Sequence, residues 1–109
     1  MAFTELASEG ALNGTTEVEL VAAPGASTRR LVRAVEIHNK DTAAVTVTVS
    51  KKVASTLYRI AKVTLDPDDT LVIDSVRILD ATEESIVAVL AGAVATNQPE
   101  FNTTYADVT

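Results

Sequence analysis

The segment Ala44-Val45-Thr46-Val47-Thr48-Val49-Ser50 alternates apolar and hydroxyl side chains with period two. That is the pattern of a half-buried strand in an antiparallel sheet. Comparable runs lie on either side of it. Thr15 to Val21 places Val18 and Leu20 on one face and Glu17 and Glu19 on the other, and Ala22-Ala23-Pro24-Gly25 ends the run with a turn signal. Arg29 to Asn39 carries Leu31, Val35 and Ile37 on one parity, with Arg33 among them, and Val32 and Ala34 on the other. Apolar residues on both parities predict a central strand. Only Asn39-Lys40-Asp41-Thr42 separates it from the Val45–Val49 alternation, which predicts a hairpin of the two strands.

Further along, Leu57 to Thr64 reads as a strand, and Asp66-Pro67-Asp68-Asp69 as a turn with proline at its second position. Thr70 to Asp74 follows, and Val76 to Leu79 either continues it or forms a short strand of its own. Ser85 to Ala91 is a short, nearly unbroken apolar run rich in β-branched residues, which predicts a buried strand. A helix from Ala81 to Ala91 competes, because Asp80 or Thr82 with Glu83 and Glu84 resembles a helix start. At least six strands at intervals near ten residues predict one all-β domain, an antiparallel β-sandwich or a small barrel, over residues 15–93.

The ends differ from this body. Residues 1–14 are punctuated by glycine and carry Phe3 and Leu6. Residues 94–109 contain Asn97 and Pro99, which break regular structure, yet also Phe101 and Tyr105. Three of the four aromatic residues thus fall in the ends, and only Tyr58 falls in the body. Aromatic side chains carry the largest apolar areas. Both ends are therefore expected to be extended arms that anchor on a neighbour through Phe3, Leu6, Phe101 and Tyr105. Folding back over the chain's own sandwich is the alternative.

Composition narrows the function. The net charge of −6 opposes a coat for nucleic acid, where Lys and Arg must neutralise phosphates. Arg29, Arg30 and Arg33 form one basic cluster, and Lys51 and Lys52 a second. They read either as solvated strand ends or as a patch for an acidic protein partner. With no cysteine, a disulfide framework is excluded. Met1-Ala2-Phe3-Thr4-Glu5 lacks the start of a secretory leader, and no apolar run reaches membrane-spanning length, so no membrane contact is expected. His38 is the single histidine, and no serine elbow accompanies it. Asp66, Asp68, Asp69 and Asp74 could offer oxygen ligands to calcium, but the EF-hand spacing is missing. The fifteen threonines are explained by strand propensity. No catalytic residue, metal site or cofactor is expected.

The run Val18…Pro24-Gly25…Arg30-Leu31-Val32-Arg33-Ala34-Val35-Glu36-Ile37-His38-Asn39…Val45-Thr46-Val47-Thr48-Val49 resembles small β-sandwich structural proteins of tailed bacteriophages. So does Leu65-Asp66-Pro67-Asp68-Asp69-Thr70-Leu71-Val72-Ile73, and together the resemblance covers residues 15–91. It implies a non-enzymatic virion component, made in the host cytoplasm. The first expectation is a decoration (cement) protein that stabilises the outer capsid surface by binding the major capsid protein. A tail, neck or fibre-associated adaptor is the alternative, and a ligand-binding β module a more distant one. Homo-oligomerisation, with a trimer as one form, is expected from the same resemblance. Phe3, Leu6, Arg29, Arg30, Arg33, Phe101 and Tyr105 are the expected interface residues.

Overall fold

Alternating apolar positions become strands, and in a computed structural model these form two antiparallel sheets packed face to face. The structure describes residues 2–80 and 82–109. Met1, where the leader reading begins, and Ala81, the first residue of the competing helix, lie outside them. The first sheet holds β1 (Phe3–Ala11), β9 (Glu100–Val108), β3 (Arg29–His38) and then β6 (Thr70–Ile73) and β7 (Arg77–Leu79). The second runs β2 (Val18–Val21), β8 (Glu84–Leu90), β4 (Val45–Val53), β5 (Thr56–Leu65). The segment with helical competition is thus the strand β8.

β6 and β7 share one side of β3. They follow each other along it, broken at residues 74–76 where β3 carries a bulge at Arg33. Counted as one broken strand, they complete the two-sheet strand order of a jelly roll. The architecture is a sandwich, not a barrel. The bulge also accounts for the double parity of β3. One extra residue exchanges inside and outside, so Val32, Val35 and Ile37 all enter the core while Arg33 stays exposed.

Val35 and Ile37 from the first sheet meet Val45, Val47, Val49, Ile86 and Leu90 from the second in one core. Ile37, Val47, Val49 and Ile86 have no remaining exposure. Each such side chain contributes about 2 kcal/mol by leaving water.

Two expectations need correction. β3 and β4 do not form a hairpin; they lie in opposite sheets, joined by an arch over residues 39–44. Asn39 is fully buried inside this arch. Its amide donates to the Ala43 and Leu65 carbonyls at 3.1 and 3.0 Å, and its Oδ1 accepts the Asp41 N–H at 2.9 Å. These bonds satisfy the arch's backbone, and the two valine-rich strands meet face to face instead of side by side. The hairpin is β4–β5, turning at Ala54 and Ser55.

The expected arms are strands. β9 lies between β1 and β3 and pairs with both, so the sandwich extends beyond residues 15–93 at each end. Ala2 and Thr109 extend the β1–β9 ladder with reciprocal backbone bonds of 3.3 and 3.0 Å. Asn97 and Pro99 do interrupt the chain, but only in the loop before β9. Phe101 is 5% exposed and belongs to the core. It packs against its cross-strand partner Gly10, where a Cβ would come within 3.0 Å of the ring. Tyr58, the aromatic expected in the body, is 59% exposed. Phe101 and Tyr105 thus pack on the chain's own core, while Phe3 and Tyr58 are exposed.

Candidate functional site

Register fixes which residues share the outer face of the first sheet. Glu5, Ala106, Leu31 and Ile78 form one row across β1, β9, β3 and β7. Phe3, Val108 and Arg29 form the neighbouring row. Phe3 is 53% exposed and Ile78 46%, with Val76 beside β7 also open to solvent. The Arg33 guanidinium, lifted by the bulge, lies over the Phe3 ring at 5.3 Å and 3.7 Å from Glu5. Such a cation over an aromatic face is attracted by the ring's quadrupole. Beside this group an open depression is lined by Glu5, Leu6, Ala7, Arg33, Thr104 and Tyr105. Farther along the face the rows turn polar, with Glu9, Asn102, Glu36 and Val72 in register.

The other arginines work inside the fold. Arg30 makes a two-pronged bond to Asp107 at 2.7 and 3.0 Å, donates to the Ala22 carbonyl at 2.8 Å and lies 4.7 Å over the Tyr105 ring. The hydrogen bond to Asp107 raises its pKa above the ordinary value, against burial, which lowers it. Arg29 pairs with Asp80 at 2.9 Å. Lys51 bridges Glu84 and the Ile78 carbonyl, both at 2.9 Å, and Lys52 reaches Glu17 at 2.7 Å. Lys51 in turn holds the Glu84 carboxyl below its usual range. Both basic clusters are thus matched by the chain's own acids. Of the seven expected interface residues, Phe3, Leu6, Arg29 and Arg33 are on the surface, whereas Arg30, Phe101 and Tyr105 build the fold.

Asp66, Asp68, Asp69 and the histidine also have structural partners. Asp69 donates its N–H to the Asp66 carbonyl, Asp68 donates to the Asn39 carbonyl, and the Asp69 carboxylate accepts the Asp66 N–H. Among the described residues no three acids or histidines converge on a point where a cation would sit. His38 shares a hydrogen bond of 2.8 Å with Thr70 on the neighbouring strand. Asp41 is the most perturbed group. It accepts the N–H groups of Thr42, Ala95, Thr96 and Asn97 at 2.8, 2.9, 2.8 and 3.0 Å. Donation from Asn97 and Ala95, then Thr96 and Thr42, lowers its pKa to about 2 although burial opposes this.

The sequence reading missed Ile78 and Val76, which lie in a segment too short to show a pattern. It also missed Leu57 and Tyr58, exposed at 50% and 59% near the β4–β5 turn. Edge status was illegible as well. β1, with nine residues, and β5, with ten, are each an outer strand of a sheet. β1 lies over β2 and β5 over β6, so the two long edges stand on opposite sides of the sandwich.

No protein-family model and no curated protein sequence matches the chain. Among solved structures it is similar to PirA, at 15% identity and TM-score 0.54, covering 92% of each chain. It is also similar to a Bacillus endospore appendage described as one of a family of disulfide-linked pili. There identity is 12% and TM-score 0.52, over 96% of this chain and 85% of that one. The Tobacco streak virus coat protein follows at 9% identity and TM-score 0.47, over 94% and 85%. The first two likenesses show a shared fold.

Proposed function

We propose that this chain is a non-enzymatic structural protein of a tailed-bacteriophage virion, a decoration protein that docks on the outer capsid. The observation that carries this reading is the apolar, exposed end of the first sheet's outer face, built from Phe3, Leu31, Val76 and Ile78. A flat sheet surface with large exposed apolar side chains and one stacked arginine fits a protein partner, because aromatic and arginine anchors dominate such interfaces. The phage-like strand grammar of residues 15–91 supports the choice of partner. So does the acidic surface, which suits the outside of a DNA-filled shell better than its inside. The endospore appendage with the same fold belongs to disulfide-linked pili. This chain has no cysteine, so disulfide linkage between copies is not open to it.

The interface now centres on Phe3, Arg33 and Ile78, with Arg29 at its margin, while Leu6, opposite Tyr105, has the other parity and lies at the β1 edge. Phe101 and Tyr105 are excluded as anchors because they are needed inside. Phe3→Ser with Ile78→Ser should keep the fold, since both side chains are exposed, and should weaken binding to undecorated heads. Removing an anchor of this kind costs about 2 kcal/mol. Sedimentation with purified heads reads binding, and circular dichroism reads folding. Unchanged head binding by the double variant rejects this face as the interface. Wild-type protein that sediments with tails and ignores heads replaces the decoration reading by the adaptor one.

A further inference from the structure

We infer that copies of this chain join head to tail, the β1 edge of one pairing with the β5 edge of the next. An edge strand presents a row of unpaired backbone donors and acceptors, and a second chain can extend the sheet there. Only two long edges exist among the described residues. The remaining outer strands, β2, β6 and β7, have four, four and three residues. β1 and β5 match in length and face opposite ways, so a contact between them uses one edge of each copy and leaves the other free to repeat.

Charge selects this pairing over the two symmetric ones. β1 carries Glu5 and Glu9 and no cation, whereas β5 carries Arg59 and Lys62 and no acid. Glu5 and Glu9 lie on the outer face of their sheet. Arg59 and Lys62 lie on the outer face of theirs, because the ladder skips Ile60 and brings them opposite Ser50 and Thr48. Among the described residues, six of the nine Lys and Arg residues are ion-paired, and Arg59 and Lys62 are two of the three for which no such pair is seen. Glu9 has no cationic partner among the described residues either. Like charges facing each other are unfavourable across a strand pair and opposite charges favourable. Two β1 edges therefore repel, two β5 edges repel, and β1 against β5 attracts. Exposed Leu6 on one edge, and Leu57 and Tyr58 on the other, add apolar area to the same contact. A heterologous contact of this kind closes into a ring or continues as a filament, according to the rotation between copies.

The inference does not rest on the capsid reading and is tested with the purified chain alone. Analytical ultracentrifugation should show association that weakens as salt is raised. Glu9→Lys cancels the net negative charge of the β1 edge, where Glu5 remains, and Lys62→Glu cancels the net positive charge of the β5 edge, where Arg59 remains, so each variant alone should associate about tenfold more weakly than wild type. An equimolar mixture should recover association, because each variant then offers the edge its partner lacks. Both side chains are exposed, and circular dichroism confirms that each variant is folded. A wild-type chain that stays monomeric to about 1 mM overturns the inference. So does association by both single variants at wild-type strength, or a mixture no stronger than its parts. Head binding is a separate measurement, so failure of either reading leaves the other standing.

Discussion

Asp41 accepts four backbone N–H groups and joins the arch over residues 39–44 to the segment that leads into β9. Its folded pKa, about 2, lies below the ordinary value of 3.8, so it is a depressed carboxylate. The stability it contributes is complete above the ordinary value and is lost as pH falls through about 2. Asp41→Asn keeps the shape and one acceptor oxygen but turns an NH2 group toward at least one of the N–H donors. The variant should melt below wild type at neutral pH, and the gap should narrow as pH drops from about 4 toward 2. Thermal melts across that range check it; a gap independent of pH would mean that the charge is not what matters. Nothing in the local sequence singles out this aspartate, since Asn-Lys-Asp-Thr serves any turn. Its donors Ala95, Thr96 and Asn97 are 54 to 56 residues away.

Strands were readable wherever burial is one-sided, and pairing was not. β4 and β8 announced themselves by alternation and by a short apolar run, because both traits follow from local burial. A six-residue connection between two valine-rich strands is compatible with a hairpin and with an arch, and the choice rests on where Asn39 and Asp41 are buried. The true hairpin lacks a signal for the opposite reason. Its turn uses Ala54 at φ 55, a left-handed conformation that normally calls for glycine or asparagine. Ala54→Gly should therefore raise stability by roughly 0.5 to 1 kcal/mol, after allowing for glycine's freer unfolded chain. Urea denaturation measures this, and a loss of stability would show that the Ala54 N–H bond to the Glu83 carbonyl already holds the turn without strain. β9 was misread because its partners are β1 and β3, far away in sequence. Phe101, Thr103 and Tyr105 do alternate with Asn102 and Thr104, but Asn97 and Pro99 ended the domain too early, at residue 93.

Both sheets share one core, so the molecule should unfold as a unit. Val47 has no exposure and belongs to the core to which both sheets contribute. Val47→Asp would place an unpaired carboxylate there, at a loss of several kcal/mol. Loss of the cooperative transition by calorimetry is the expected result, and an unchanged midpoint would contradict the packing. Contacts in this fold are overwhelmingly between distant parts of the chain, a property that slows folding because loops must close before pairing is rewarded. The place of β9 sharpens this. On the ribosome, β1 and β3 emerge long before residues 100–108, and until then neither has its partner on the side that β9 will fill. A nascent chain shorter than this holds two sticky seams, the condition under which unfinished β proteins pair with the wrong strand. Translation speed and chaperone supply while β9 is being made then bear on how much of the chain reaches the folded sandwich.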